Sequence, residues 1–335
     1  MSSSHKIAVI LNNYSYFTHE FIKGPKSLIK YLELLEENNC EINIFSNNID
    51  SFGIFPFKVK LIDLTLKNTL LEIHKYDLII TDRANILWGL FISFIFRKKL
   101  VIRILGNGFR LNSTNIISYK NLIRILSFIV KIDLIISTND GSSFNGPSFI
   151  KAKNRRHRIN GVNKLSTTKN NADLNHFFGI CRYSRTDDKG IESIIKFYKK
   201  ILGVNSNAKL HLFGAEADYI SHLDKNLFEK KSITAYGFIK NNELQNRICN
   251  FGYMISGNQH GALGNAELES LSAQKAIIYI GPQKHLENLT SNIRSGYINP
   301  EDFLKNNFKN VSFLHELENF EKVHANDVKV TLSLI

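Results

Sequence analysis

The stretch Ser256-Gly-Asn-Gln-His-Gly-Ala-Leu-Gly-Asn-Ala-Glu-Leu-Glu-Ser-Leu-Ser-Ala-Gln-Lys-Ala-Ile-Ile-Tyr-Ile280 carries the strongest structural signal of the chain. It predicts a glycine-rich loop, a short helix that begins near Gly264 and Asn265, and a turn of small residues into an apolar strand. The first turn of a helix presents backbone N–H groups and a partial positive charge. We therefore predict a phosphate site here, with the Glu269 carboxylate about one turn further on, where it can hold a ribose hydroxyl.

The same alternation of apolar strands and helices extends through the whole chain. Continuous apolar strands between helices are typical of parallel sheets that are covered on both faces. We predict an α/β protein with two doubly wound, Rossmann-like domains that face each other across a cleft, where ligands bind at the carboxyl ends of the strands. The predicted strands are Lys6–Leu11, Glu41–Phe45, Asp77–Thr81, Leu100–Leu105 and Asp133–Ser137, then His176–Cys181, Lys209–Phe213, Ile233–Tyr236, Tyr253–Ile255 and Ala276–Ile280.

Domain boundaries follow from a change in composition near the middle. Lys151–Arg158 is strongly basic, and residues 165–175 are polar and are predicted to be a strand-free linker. The predicted domains are residues 1–160 and residues 161–300, of which the second would bind a nucleotide. Residues 301–335 are predicted to be a helical tail.

The charge of the chain is concentrated in its first half. The formal net charge is +13, of which residues 1–160 carry +10. A basic half is typical of proteins with an anionic partner, such as a membrane surface, a lipid phosphate or a nucleic acid. A solvated basic surface is the alternative. No nucleic-acid-binding motif is present, so a nucleic-acid partner is not expected.

Cysteine usage and hydropathy indicate the compartment. Cys40, Cys181 and Cys249 are widely spaced and suggest neither a metal site nor a disulfide framework. No signal peptide is predicted, and the longest apolar run, Ile86–Phe96, is too short to span a membrane. We favour a core helix for this run over an interfacial one. We expect a cytoplasmic protein, with peripheral contact at the inner face of a membrane through the basic first domain as an open alternative.

A second anion-binding element precedes the opening stretch. Arg182 follows a predicted strand, and Lys189 stands at the start of the next helix, where a cation opposes the helix dipole unless an anion binds between them. A diphosphate suits this pair, because arginine offers a bidentate fork and lysine a point charge. The alternative is that both side chains are solvated and Asp188 caps the helix.

Taken in order, the motifs of the second half resemble the donor-binding domain of retaining family 4 glycosyltransferases, which have the GT-B fold. The resemblance covers about residues 155–280. The matching segments are Asn160-Gly-Val-Asn163, Gly179–Gly190, Leu210–Gly214, Tyr236-Gly-Phe238 and Gly264–Lys275.

The resemblance implies that the domain of residues 1–160 binds the acceptor, and it implies roles for individual residues of the second domain. Arg182 and Lys189 would hold the donor diphosphate. Backbone amides around Gly264, Asn265 and Ala266 would bind phosphate oxygens. Glu269 would bind the ribose. Gly237, in the matching strand-end segment, would also belong to the donor site.

This chain departs from the family at two positions. The family has a glutamate eight residues before Glu269, where this chain has Gly261, and a one-residue bulge would put His260 in that place. The family also tends to have a histidine in the first domain, where Asn107 stands here. His260 and Asn107 are therefore the candidate catalytic residues. Asp82, Arg83, Arg103 and Arg110 are further cleft candidates, for which a surface position is equally open.

Together these features predict a retaining glycosyltransferase, of the kind that acts in polysaccharide biosynthesis. It would transfer a sugar from a UDP- or GDP-linked donor to a glycan, a lipid-linked or another acceptor. No Asp-x-Asp pair occurs in the cleft-forming motifs, so we expect neither a metal nor another cofactor. The alternatives are a degenerate, non-catalytic protein that binds a sugar nucleotide or glycan, and a glycosyltransferase that modifies DNA.

Overall fold

The computed structural model describes residues 4–11, 17–18, 21–22, 26–46, 57–82, 85–104, 116–138, 150–159, 172–180, 190–239, 241–259, 261–305, 317 and 319–335. The chain divides into two compact units. The first comprises Met1–Asn139, Phe144–Asn160 and Phe320–Ile335, and the second comprises Asp140–Ser143 and Gly161–Asn319.

The first unit is built on a seven-stranded parallel sheet. Its strands are β1 (His5–Ile10), β4 (Cys40–Ser46), β5 (Val59–Asp63), β6 (Leu78–Asp82), β7 (Lys99–Ile104), β8 (Ile132–Thr138) and β9 (Ala152–Arg158), and a short antiparallel pair is formed by β2 (Phe17–Thr18) and β3 (Phe21–Ile22). The strand order is β5-β4-β1-β6-β7-β8-β9, and every neighbouring pair is parallel.

Helices cover both faces of this sheet. The helices are α1 (Lys26–Glu37), α2 (Leu66–Glu72, continued by a 3-10 turn at Ile73–Lys75), α3 (Ile86–Phe96) and α4 (Ile116–Ile129). Leu28, Leu32 and Leu35 recur at helical spacing and are buried on one face of the sheet. Ile73 of the 3-10 turn and residues of α3 and α4 pack on the other face. The predicted helix Ile86–Phe96 is confirmed, and its inner side belongs to the core.

The basic segment Lys151–Arg158 is where the sequence prediction fails. It forms β9, the edge strand paired with β8, although its residues lack an apolar alternation. An edge strand can be this polar because only one of its sides is paired. Arg156 and Arg158 are moreover compensated by Asp327, about 170 residues later in the chain, which no local pattern reveals.

The second unit repeats the architecture with a six-stranded parallel sheet. Its strands are β10 (Asp173–Ile180), β11 (Lys209–Phe213), β12 (Ile233–Ala235), β13 (Phe251–Ser256), β14 (Ala276–Tyr279) and β15 (Tyr297–Ile298), in the order β12-β11-β10-β13-β14-β15. Its helices are α5 (Ile191–Val204), α6 (Ala217–Leu223), α7 (Lys225–Glu229), α8 (Asn241–Ile248), α9 (Asn265–Ser272), α10 (Lys284–Glu287), α11 (Ser291–Arg294) and α12 (Pro300–Lys305). Because β10 begins at Asp173, residues 173–175 are strand rather than the predicted strand-free linker.

The last helix, α13 (Phe320–Leu332), belongs to the first unit and packs against α1. Ser27 Oγ lies 2.6 Å from His324 Nε2, and Tyr31 Oη lies 2.7 Å from Thr331 Oγ1. Asp327, fully buried, accepts hydrogen bonds from Arg156 and Arg158. The end of the chain is therefore fixed to the first unit by buried polar contacts.

Candidate functional site

In the second unit, the strand order reverses between β10 and β13. From β10 the chain continues through α5 to β11 on one side of the sheet centre, and from β13 it continues through α9 to β14 on the other. Both helices therefore begin at the carboxyl edge, next to the same pair of strands. In doubly wound sheets this crevice is where ligands bind.

A close backbone contact joins the start of α5 to the loop that follows β13. Gly190, the residue before α5, has φ +66°, and a Cβ atom placed on it would lie 2.4 Å from the carbonyl oxygen of Gly257. Glycine is required here both for the left-handed conformation and for the space. The Gly190 contact thus holds the start of α5 against the loop that follows β13.

The predicted diphosphate ligands precede this contact directly. Arg182 and Lys189 belong to segment 181–189, between the end of β10 and Gly190, and lie outside the described residues. Since β10 and the Gly190–Gly257 contact fix both ends of this segment, its ends are at the switch point. The roles of the two side chains stay predictions.

The start of α9 agrees with the sequence prediction. Gly264 is the N-cap residue, and the first backbone hydrogen bond of the helix runs from Leu268 N–H to the Gly264 carbonyl at 3.0 Å. The first turn of α9 therefore starts at Asn265 and carries the partial positive charge of a helix N-terminus. Asn265 is exposed and Ala266 half-buried, so this charge is accessible at the carboxyl edge.

Two acidic residues of α9 differ in their surroundings. Glu269, the predicted ribose ligand, is half-buried. Glu267, which sequence reasoning missed, is 2% exposed, and its Oε1 accepts a hydrogen bond from Ser256 Oγ at 2.7 Å. Oε2 of Glu267 has no hydrogen-bond partner among the described residues, and a Cβ on Gly264 would approach it to 2.7 Å. The signal in the sequence that could have identified Glu267 is an acidic residue at the third position of a predicted helix.

Two tyrosines from neighbouring strands fix the loop between β13 and α9. Tyr279 Oη donates to the Asn258 carbonyl at 2.7 Å, and Tyr297 Oη donates to the Ala262 carbonyl at 2.5 Å. Burial, and secondarily the charge of Glu267, raises the pKa of Tyr297, which keeps its hydroxyl proton available for this bond. The loop is therefore held in shape by the protein itself, before any ligand binds.

The backbone of Gly237 links the turns that follow β11 and β12. Its φ is +61°, its carbonyl accepts from Gly214 N–H at 2.6 Å, and its own N–H donates to the Ala215 carbonyl at 3.1 Å. Both backbone groups are thus engaged in joining the turns after β11 and β12. The Gly237 carbonyl oxygen has a second lone pair, and the predicted contact of Gly237 with the donor stays a prediction.

The two candidate catalytic residues, His260 and Asn107, lie outside the described residues. Both neighbours of His260 are described: Gly261 is buried, and the side-chain amide of Gln259 donates to the Gly257 carbonyl at 2.8 Å. The protein itself thus holds the two described neighbours of His260. Its contact with a sugar stays a prediction, as does the role of Asn107.

In the first unit, the further cleft candidates differ in burial. Asp82, at the end of β6, is buried and accepts a hydrogen bond from the Asn85 side chain at 3.2 Å. Arg103 is 2% exposed, its guanidinium stacks 4.1 Å from the centre of the Tyr31 ring, and it donates to the Ser27 carbonyl at 3.3 Å. Burial lowers the pKa of Arg103 to about 10, so the guanidinium stays charged at neutral pH. Arg103 is thus a core residue, and Arg83 and Arg110 lie outside the described residues.

Comparison with known proteins identifies the fold. No protein-family model matches the chain, and no curated protein matches its sequence. Among solved structures, a glycosyltransferase from Rickettsia africae ESF-5 is 13% identical, with a TM-score of 0.64 over 99% of this chain and 96% of that one. A sucrose-phosphate synthase from Thermosynechococcus elongatus is 14% identical, with a TM-score of 0.64 over 98% and 99%.

A third solved structure is an alpha-glucosyltransferase in complex with UDP and a 13-mer DNA. It is 12% identical, with a TM-score of 0.56 over 100% of this chain and 95% of that one. The chain has the GT-B fold. At these identities the likeness establishes two Rossmann-like domains with parallel sheets, as the sequence predicts.

Proposed function

We propose that this protein is a glycosyltransferase that moves a sugar from a nucleotide-diphosphate donor to an acceptor. One observation carries the proposal: α5 and α9 both begin at the switch point of the second sheet, and the Gly190–Gly257 contact holds the start of α5 against the loop that leads to α9. Two helix N-termini at the same crevice favour a ligand with two adjacent negative groups, such as a diphosphate. The GT-B fold supports the same class of reaction.

The donor would be linked to UDP or GDP. In the proposed site, Arg182 and Lys189 bind the diphosphate, the first-turn amides of α9 bind phosphate oxygens, and Glu269 binds the ribose. These cations and amides stabilise the departing diphosphate, which is the charge that develops during transfer. Transfer would need no metal, since the protein itself supplies the positive charge.

We propose that transfer retains the anomeric configuration, with attack of the acceptor on the face from which the diphosphate departs. His260 would contact the donor sugar, because an imidazole can donate to or accept from a hydroxyl. Asn107 would orient the acceptor hydroxyl. An unchanged transfer rate in His260→Ala or Asn107→Ala would remove that residue from the site.

The first unit would bind the acceptor, a glycan or a lipid-linked sugar, as in polysaccharide biosynthesis, and the enzyme would act in the cytoplasm. A thermal-shift screen with UDP-, GDP- and ADP-sugars tests the donor assignment. A ligand at 100 times its dissociation constant stabilises the folded state by about 2.7 kcal/mol, which is readily measured. We expect stabilisation by one base only, and no stabilisation by any nucleotide sugar at millimolar concentration would contradict the proposal.

Two other functions have a specific observation in their favour. The absence of the glutamate at position 261 and of the histidine at position 107 favours a degenerate protein that binds a donor without transferring it. Donor stabilisation without hydrolysis or transfer would identify that case. The likeness to a glucosyltransferase in complex with DNA, together with the basic first half, favours a DNA acceptor. Transfer of labelled sugar to duplex DNA would identify it.

A further inference from the structure

Large apolar side chains are exposed almost exclusively in one part of the first unit. Of the twelve such side chains among the described residues, ten lie on α2, α3 and α4, and they are 44–61% exposed. We refer to these ten as the apolar face: Leu66, Leu70, Leu71, Phe91, Phe94, Ile95, Leu122, Ile125, Phe128 and Ile129. A soluble protein rarely exposes so many in one region without a partner.

The three helices turn their outer sides in the same direction. Ile73 after α2, Leu90 of α3 and Ile123 of α4 are buried in one core layer on one face of the first sheet. Since α3 and α4 also contact each other directly, their outward side chains form adjoining surfaces. The apolar residues of α3 and α4 therefore form one region, and α2 lies on the same side of the first sheet through the buried Ile73 that follows it.

The chain around α3 and α4 is strongly basic. Residues 83–132 contain no aspartate or glutamate and nine basic residues, one of which is the core residue Arg103. The other eight are Arg83, Arg97, Lys98, Lys99, Arg110, Lys120, Arg124 and Lys131. Arg97 ends α3, Arg124 lies on α4 between Leu122 and Ile125, and both are exposed. Lys151 Nζ lies 5.3 Å from the centre of the Phe128 ring, a cation–π contact that holds an ammonium at the margin of the apolar face.

We propose that the apolar face binds an anionic membrane surface. α3 and α4 have 11 and 14 residues, so they are about 16 and 21 Å long, shorter than the roughly 30 Å hydrocarbon core. None of the described helices is long and apolar enough to cross a bilayer. The helices would lie in the interface, with apolar side chains among the acyl chains and basic ones at the headgroups.

The charge distinguishes this partner from a second copy of the chain. Two basic faces would repel each other in a symmetric dimer, whereas anionic headgroups are complementary to them. This inference does not depend on the proposed sugar transfer, because the apolar face contains no residue of the donor site.

Flotation of the full chain with vesicles tests the proposal. We expect binding to vesicles of phosphatidylcholine with 30% phosphatidylglycerol, and at least tenfold weaker binding to phosphatidylcholine alone. Phe94→Asp and Phe128→Asp should each weaken binding to the anionic vesicles at least tenfold. Val204→Asp, which changes an exposed apolar residue of the second unit, is the matched control and should bind as the wild type does.

Each variant should melt within a few degrees of the wild type and keep its stabilisation by the donor, which separates this test from that of sugar transfer. Absence of binding by the wild type, or unchanged binding by both aspartate variants, would overturn the proposal. Sedimentation equilibrium that shows a wild-type dimer, made monomeric by Phe94→Asp, would instead assign the face to self-association and overturn it as well.

Discussion

Ser256 Oγ donates a 2.7 Å hydrogen bond to Oε1 of Glu267, and this contact ties the end of β13 to the first turn of α9. Both residues are buried, at the strand and helix that flank the predicted donor loop. Their contact fixes where the helix N-terminus points. The geometry of the proposed anion site would thus depend on a carboxylate beneath it as well as on the amides of the first turn of α9.

Removing either partner should destabilise the protein. We expect Glu267→Ala and Ser256→Ala each to lower the free energy of unfolding by about 1–3 kcal/mol, because the group left behind is buried. In a double-mutant cycle measured by urea denaturation, the two substitutions should be coupled by about 1 kcal/mol. Strictly additive effects would show that the hydrogen bond does not contribute to stability.

Gly190 should tolerate no side chain. Gly190→Ala forces φ +66° on an alanine and puts its Cβ 2.4 Å from the Gly257 carbonyl oxygen. We therefore expect the free energy of unfolding to fall by about 2 kcal/mol or more, which is the cost of a left-handed residue together with a displaced backbone. Gly203→Ala on the same helix is the control. A Cβ there meets no atom within 4 Å, so it should raise stability by about 0.5–1 kcal/mol.

If Gly190→Ala and Gly203→Ala change the free energy of unfolding equally in chemical denaturation, the backbones of Gly190 and Gly257 do not approach each other as closely as described. Donor binding gives a second measure. Gly190→Ala should weaken it, since the start of α5 moves away from the loop after β13, whereas Gly203→Ala should leave it unchanged.

Stability should fall on acidification because of two buried histidines. Burial, and then the charge of Arg103, lowers the pKa of His324 to about 4, and burial, and then His176, lowers the pKa of His211 to about 4. In the unfolded chain a histidine is protonated below about pH 6.5, whereas these two stay neutral in the folded protein down to about pH 4. The free energy of unfolding is therefore highest above pH 6.5 and falls as the pH falls towards 4. The loss is about 2 kcal/mol per histidine at pH 5.

The melting temperature measured from pH 7 to pH 5 tests this expectation. His324→Gln should lower stability at pH 7, where the contact with Ser27 is lost, and should flatten the pH dependence. A wild-type melting temperature that stays constant over this range would contradict the buried, neutral state of both histidines.

Asp327 should be essential for holding the last helix. Burial by itself would raise the pKa of Asp327, but hydrogen bonds and charge from Arg158 outweigh it and hold the pKa below its usual range. Asp327→Asn leaves Arg156 and Arg158 without their carboxylate, so we expect a loss of about 3–5 kcal/mol. Glu321→Gln, on the same helix with an exposed side chain near Lys30, should cost less than about 1 kcal/mol.

Limited proteolysis and urea denaturation would measure the two variants. Asp327→Asn should expose the C-terminal segment to rapid cleavage, whereas Glu321→Gln should be cleaved as slowly as the wild type. Equal cleavage rates in all three proteins would show that the Asp327 contacts do not hold α13.

The sequence predicts those parts of the structure that local patterns determine. Apolar runs identify the central strands, and the Gly264–Asn265 pair locates the start of α9 to within a residue. Long-range contacts are invisible to such patterns. The polar strand β9 is stabilised by the ion pairs of its arginines with Asp327 of α13. The buried Arg103 is stabilised by stacking on Tyr31 and by a hydrogen bond to Ser27. Glu267 was missed because its role depends on Ser256, which belongs to the preceding strand.

The affinity of Arg182→Ala for the donor nucleotide tests the central claim most directly. Titration calorimetry with the nucleotide selected by the thermal-shift screen would compare this variant, and Lys189→Ala, with the wild type. We predict at least tenfold weaker binding and more than tenfold slower turnover in each, with little change in melting temperature. Wild-type affinity in both variants would contradict a diphosphate site at the switch point of the second unit.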